Sequence, residues 1–336
     1  MSTPPIQQPL PEDPLVTAAR NELDEYLCEG ELSMQDVDDL CLKNIAQPSR
    51  VMAPFMWFGG KGRFANKILP LLPSAQVYVE PFAGAASVFW HLKTPYNVEV
   101  LNDLDGDIVN LFRVLQDPAT FKDFEHRIIW TPYSLDEFRR ALQHNGDDPV
   151  MRAWSFYVRQ NQGFGGHQAK SEGHWGRAFT PKRGMAETAS SWRGRMKTLQ
   201  TWHDRLTRVQ IDNRCALDVI KYWDSPTTLF YIDPPYVQST RKSGGYKHEA
   251  DDDFHNALVD LCLGLQGNAV LSGYASDVYA RLESAGFNRL DFETVCYAAS
   301  RARGSVLRGD GNAIAKAPRT ESIWTNFDHG QKALQV

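Results

Sequence analysis

Two blocks of short apolar runs alternating with amphipathic segments restrict the fold of this chain more than any other feature. In the first block, residues 77–80 and 98–101 read as buried strands, with helices expected over 85–92 and 107–115. In the second, a strand at 228–232 leads into a helix at 253–265, a strand at 269–272, a helix at 277–285 and late strands near 290–294 and 322–326. Such alternation buries both faces of a sheet under crossover helices, so it specifies an α/β fold with an open, mainly parallel sheet of the Rossmann-like kind. Between the blocks the pattern lapses, because residues 121–214 show helical spacing and no convincing strand pair. The expected organisation is one α/β domain, residues 51–120 and 216–330, interrupted by a mainly helical insertion over 121–215. Residues 1–50 read as a separate acidic extension, a proline-bearing arm followed by two short helices.

Net charge is −5, but it is segregated. Residues 1–50 carry ten acids and three bases, whereas residues 151–215 carry twelve Lys/Arg against four Asp/Glu. A polyanion responds to the local field of a patch, so the insertion is the expected contact surface for a nucleic acid. No apolar run approaches the ~20 residues of a membrane span, and the N-terminus lacks the pattern of a secretory signal, so a cytoplasmic protein without membrane contact is expected. Five cysteines, Cys28, Cys41, Cys215, Cys262 and Cys296, lie far apart without C-x-x-C spacing. Neither a metal site nor a disulfide framework is expected from them, only reduced and mostly buried thiols.

The stretch YVEPFAGAASVFW, residues 78–90, joins a strand to a small-residue turn, where an α/β sheet holds nucleotide-like ligands. Neither G-x-G-x-x-G nor a P-loop pattern occurs, which argues against a pyrophosphate ligand. What remains is Gly84, which permits close backbone approach, Glu80 at the strand end, and Asp103 at the end of the next strand, near the spacing at which an acid takes ribose hydroxyls. Taken singly these are ordinary loop acids. Together they fit an adenosine with a cationic amino-acid tail, S-adenosyl-L-methionine.

In YIDPPY, residues 231–236, a strand runs into Asp233, Pro234, Pro235 and Tyr236. Each proline fixes φ and removes a donor, so the tetrapeptide is a rigid extended prong offering only acceptors before an aromatic ring. That set suits a flat base with an exocyclic amine. Acceptors on the amine hydrogens localise its lone pair and stabilise the positive charge of methyl transfer, and Tyr236 is expected to stack on the base. The base must first leave the duplex.

With these residues in place, the chain resembles the Dam-type, alpha-group DNA N6-adenine methyltransferases over about residues 55–327. WFGGKGRF, VEPFAGAASVF, LNDLDGDIVNLF and YIDPPY are similar, in order, to the family's N-terminal element, cofactor loop, ribose-acid segment and catalytic tetrapeptide. FYVRQNQGFGG resembles the start of its target-recognition region, and NAVLSGYAS and RTESIWTNF its later strands. The resemblance implies that Trp57, Lys61, Asp103 and Asp233 contact the cofactor, that Glu80 and Gly84 shape its pocket, and that Asp233, Pro234 and Tyr236 hold the target adenine. Double-stranded DNA is the implied partner, restriction-modification is one of several settings, and a monomer is expected with a dimer as the alternative. Where relatives often carry a second glycine, this chain has Ala86, whose methyl is expected to tighten the pocket.

In the insertion, Arg177, Lys182, Arg183, Arg193, Arg195 and Lys197 alternate with Trp175, Phe179 and Trp192 and are the expected DNA contacts, while Trp154 and Trp202 read as core. The polar segment after the tetrapeptide, bearing Tyr246, Lys247 and His248, is expected to close over the flipped base.

Overall fold

The computed structural model describes residues 51–57, 59–164, 171–237, 250–295 and 318–328. The helices expected within residues 1–50, the segment with Tyr246, Lys247 and His248, and Cys28, Cys41 and Cys296 lie outside the described residues. Nine strands occur in chain order among them: β1 (Val77–Glu80), β2 (Val98–Asn102), β3 (Pro181–Lys182), β4 (Met185–Ala186), β5 (Gln210–Asp212), β6 (Thr228–Ile232), β7 (Asn268–Gly273), β8 (Asn288–Val295) and β9 (Pro318–Thr325). Ten α-helices accompany them: α1 (Ala65–Ile68), α2 (Gly106–Gln116), α3 (Pro118–Ile129), α4 (Leu135–Gln143), α5 (Pro149–Gln162), α6 (Glu187–Met196), α7 (Leu199–Leu206), α8 (Ala216–Trp223), α9 (Asp252–Leu263) and α10 (Asp277–Ser284).

Seven strands form one sheet in the order β5-β2-β1-β6-β7-β9-β8. All neighbouring pairs are parallel except the two made by β9, which runs antiparallel to both β7 and β8. The chain travels outward from β1 through β2 to β5, then crosses back to place β6 on the other side of β1. The carboxyl ends of β1, β2 and β6 therefore border the point where strand order reverses, the place where open α/β sheets hold ligands. All five residues of β6 are buried, which is why this strand reads as an unbroken apolar run rather than an alternation.

Side-chain caps fix where the helices start. Asp105 accepts from the Asp107 N–H at the head of α2, and Asp117, ahead of Pro118, accepts from the Ala119 and Thr120 N–H groups of α3. Ser134, Asp148, Asp251 and Ser276 cap α4, α5, α9 and α10 in the same way.

The helices between β2 and β5 share one apolar cluster with the sheet. Phe124, Trp154, Phe156, Tyr157, Trp192 and Trp202 are buried together with Tyr78, Leu101 and Phe112. Trp154 and Trp202 are core as expected. Trp192 joins them instead of facing a ligand, 3% exposed with its indole N–H donating to the Thr131 carbonyl at 2.9 Å.

Two expectations are corrected. Residues 85–92 are not an α-helix: Gly84 (φ 50°) and Ala86 (φ 53°) adopt left-handed backbone, and only a 3-10 turn at Phe89–His91 follows. Residues 121–214 do contain sheet, because β5 pairs in parallel with β2, and β3 with β4 forms a small hairpin. The thiols are of two kinds among the described residues, Cys262 buried and Cys215 half-buried.

Candidate active site

Glu80 ends β1, Asp103 follows β2 and Asp233 follows β6, so the sheet alone brings three carboxylates from distant sequence to one edge. A cavity of about 280 Å³ opens there. Its walls include Trp57, Lys61, Glu80, Gly84, Asp103 and Asp233, the full set of expected cofactor residues, together with Pro234 and Pro235. Tyr231, Cys215 and Phe254, not singled out in the sequence, also line it.

The loop after β1 is shaped by close approaches. The Gly84 N–H donates to Asp103 Oδ2 at 2.8 Å, and Asp103 Oδ1 accepts from the Asp105 N–H at 2.8 Å. A Cβ on Gly84 would lie 2.7 Å from Cδ1 and Nε1 of Trp57, so glycine is required there by space as well as by φ. Ala86, in contrast, does not tighten the cavity: it is fully buried in the apolar core. Its left-handed backbone costs a non-glycine residue roughly 1–2 kcal/mol.

Glu80 is 2% exposed, and its Oε1 accepts from the Tyr78 hydroxyl at 2.7 Å and the Phe89 N–H at 2.8 Å. Burial pushes its pKa up to about 8, against the lowering effect of those two hydrogen bonds. Its geometry thus serves the turn that carries Gly84 and Ala86.

Asp233 sits in a connected polar network. Lys61, on a 3-10 turn at Lys61–Arg63, places Nζ 2.6 Å from Asp233 Oδ1, 3.1 Å from the Tyr236 hydroxyl and 3.2 Å from Glu321 Oε1. Burial alone would lower the Lys61 pKa, but Asp233, Tyr236 and Glu321 hold it well above the usual value, so the ammonium stays charged. Ser272 Oγ donates to the same Asp233 Oδ1 at 2.8 Å and is 3.1 Å from the Tyr231 hydroxyl. The Tyr236 hydroxyl donates toward Glu321 at 3.3 Å, and its ring stacks on Tyr274 with centroids 4.3 Å apart and planes 14° from parallel. Burial raises the Tyr236 pKa far enough that the phenol remains a donor. It also raises that of Glu321, with Lys61 acting in the opposite direction.

Ser272, Tyr274 and Glu321 escaped the sequence reading. One signal for Glu321 was present: RTESIWTNF places an acid two residues before Ile323, on the same face of a strand by alternation, and an acid on an apolar face requires a partner. Its partners, however, lie on other elements.

Of the six expected DNA contacts, Arg177, Lys182, Arg183, Arg193 and Lys197 are exposed. Lys182 and Arg183 stand at the β3–β4 hairpin, whose two-residue turn, Arg183 (φ 53°) and Gly184 (φ 76°), has the left-handed backbone of a type I′ turn. Phe179 is exposed beside them, and Trp175 is half-buried against Tyr133. Arg195 departs from the group. It is half-buried, and its Nη1 donates to the Pro54 carbonyl at 3.1 Å and the Ala53 carbonyl at 3.3 Å, so it ties α6 to residues 53–54 instead of facing outward.

Comparison with known proteins identifies the family. The chain is 24% identical to the DNA adenine methylase of Salmonella typhi over 197 residues, covering 54% of this chain and 63% of the relative. It is 30% identical to the DNA N-6-adenine-methyltransferase of Escherichia phage P1 over 117 residues (33% and 15% covered), and 38% identical to the DNA adenine methylase of Serratia marcescens over 60 residues (18% and 22%). In each case the matched region is less than two thirds of the relative's length. The sequence model of one family spans residues 57–294, from Trp57 through the whole cavity wall to β8, and on that match the chain belongs to the D12 class N6 adenine-specific DNA methyltransferases.

Proposed function

We propose that the protein transfers a methyl group from S-adenosyl-L-methionine to the N6 amine of an adenine extruded from double-stranded DNA. The observation that carries this reading is the placing of Asp233, with Pro234 and Pro235, on the wall of the same cavity that holds Trp57, Gly84 and Asp103. A cofactor pocket and an amine-binding prong thereby share one space.

The residues fit the cofactor. The Asp103 carboxylate after β2 suits ribose hydroxyls, and Gly84 lets the Trp57 ring close against the loop after β1 on the same cavity wall. The bound cofactor supplies an electrophilic methyl on a sulfonium. Asp233 Oδ1 is engaged by Lys61 and Ser272, while Oδ2 carries no hydrogen bond among the described residues. Oδ2 and the Asp233 and Pro234 carbonyls are then the acceptors for the two N–H groups of the amine, which localises its lone pair for attack. Pro234 and Pro235 contribute by rigidity, since fixed φ values keep this acceptor set in place without an ordering cost at each turnover. The exposed cations of the insertion, Arg177, Lys182, Arg183, Arg193 and Lys197, would neutralise backbone phosphates, with the segment 121–215 acting as the target-recognition part of the molecule.

Incubation with radiolabelled S-adenosyl-L-methionine and duplex DNA, with RNA and protein as parallel acceptors, tests the reading. Label in N6-methyladenine of DNA is the expected result, and label confined to RNA, protein or cytosine would reassign the acceptor. Asp233→Ala is expected to abolish transfer while leaving DNA affinity within about threefold, because Asp233 meets the amine and not the phosphates.

A further inference from the structure

Glu321 is the least expected group near Asp233. It lies on β9, is 4% exposed, and is the second carboxylate on the Lys61 ammonium. A buried carboxylate is costly unless partnered, and here the partners are the cation that also binds Asp233 and the phenol of Tyr236.

The charge count gives Glu321 a purpose. A Lys61–Asp233 pair at 2.6 Å is neutral as a unit, and an ammonium so close draws the field of the carboxylate away from any amine bound at Oδ2. Positive charge is what this cavity must accommodate. In the transfer proposed above, the N6 lone pair would form the bond to the methyl carbon, the former C–S bonding pair would remain with sulfur, the charge would pass to N6, and one N6 proton would then leave to water. With Glu321 included, one cation and two carboxylates sum to −1.

We propose that Glu321 is a positioning residue for methyl transfer: by sharing the Lys61 ammonium with Asp233, it keeps the Lys61–Asp233–Glu321 group net negative, so that Asp233 faces a cationic ligand and a cationic amine with its charge not cancelled by Lys61. The proposal rests on the methyltransferase reading above. Its hydrogen bond from Tyr236 fixes the phenol in the same network, so that Glu321, Tyr236, Lys61, Asp233 and Ser272 are joined continuously across β9, the prong and β7.

The test compares two ligands of nearly equal shape and different charge, S-adenosyl-L-methionine, with its sulfonium, and S-adenosyl-L-homocysteine, a neutral thioether. Calorimetric dissociation constants for both are measured with wild-type protein, Glu321→Gln and Glu321→Asp. Loss of one buried charge is expected to shift the ratio of the two constants by about five- to tenfold against the sulfonium in Glu321→Gln. The value of kcat should fall at least about tenfold with KM for DNA nearly unchanged. Glu321→Asp, which keeps the charge, should recover most of the ligand ratio. A merely structural role would weaken both ligands together, so an unchanged ratio in Glu321→Gln overturns the proposal. Should Glu321→Gln not fold, Tyr236→Phe is read in its place: it removes the hydrogen bond and leaves every charge, and a shifted ratio there would put the effect in the hydrogen bond and overturn the charge argument. Wild-type protein that binds neither ligand would remove the methyltransferase reading itself, an outcome distinct from an unchanged ratio.

Discussion

Lys61 Nζ stands 2.6 Å from Asp233 Oδ1, joining the segment before the sheet to the prong after β6 and placing a buried cation beside the carboxylate that would meet the substrate. The side chains of Lys61 and Glu321 are each 6% exposed and that of Asp233 19%, so solvent screens the trio little. Lys61→Met is therefore expected to leave two carboxylates without their cation and to destabilise the fold by about 3–5 kcal/mol. Adding Glu321→Gln to Lys61→Met removes one of the stranded charges and should recover part of that loss. Urea unfolding of the single and double variants measures both quantities, and a double variant less stable than Lys61→Met alone would show that Glu321 is not held through Lys61.

Gly84→Ala tests the loop after β1. The added methyl would meet the Trp57 ring at 2.7 Å in a backbone of φ 50°, and the only relief is movement of Trp57 or of the loop held by Asp103. Cofactor affinity is expected to fall by more than about tenfold, with Trp57 displaced from the cavity wall. Ala86→Gly should behave differently, since relief of the left-handed strain offsets the removal of a buried methyl, leaving stability within about 1 kcal/mol of wild type. Calorimetric titration and thermal unfolding separate the two variants.

Glu80 makes stability depend on pH. Its carboxyl is raised from the ordinary 4.5 to about 8 by burial, so the folded protein keeps a proton that the unfolded chain releases. The contribution is fully present below about pH 4.5 and is lost as pH rises toward about 8, at a slope of at most about 1.4 kcal/mol per pH unit. Glu80→Gln, which cannot ionise, should flatten this part of the profile. Urea midpoints at about pH 5.5 and about pH 7.5, both inside that window, decide the matter. Equal losses in both proteins would mean that Glu80 is not the group responsible.

The strands that border the site were legible because β6 and β7 are buried on both faces and so write continuous apolar runs into the sequence. Asp103 and Asp233 were legible for a related reason, since an acid at the end of such a run is placed by topology alone. The segment 85–92 misled because its apolar spacing is helical, while Gly84 and Ala86 take left-handed φ values that spacing does not encode. β5 is three residues long, at the sheet edge and partly exposed, so it leaves no alternation to detect. Arg195 and Glu321 share the remaining difficulty. A single charged residue in sequence has no visible partner, and only the packed molecule shows that Arg195 caps the carbonyls of residues 53–54 and that Glu321 meets Lys61.

That contrast yields a last prediction, which separates DNA binding from stability within one basic segment. Arg183 occupies the first position of the β3–β4 turn with φ 53°, a conformation that glycine adopts without strain. Arg183→Gly removes the charge while favouring the turn, so any loss of DNA affinity cannot be blamed on a damaged hairpin. Removing a cation that neutralises one phosphate should reduce the slope of log affinity against log salt by about 0.9, and the Arg183→Gly, Lys182→Ala and Arg193→Ala variants should lower it stepwise. Arg195→Ala should do the reverse. Its guanidinium is engaged by the Ala53 and Pro54 carbonyls, of which Pro54 also accepts from Asn161, so its removal takes a donor from both, leaves Pro54 with Asn161 alone and lowers the melting temperature while the salt slope stays that of wild type. Salt titrations of duplex binding, read beside thermal unfolding, check both halves. A salt slope unchanged in the triple variant would take the hairpin off the DNA, because a surface that neutralises phosphates cannot lose its cations without releasing fewer counterions.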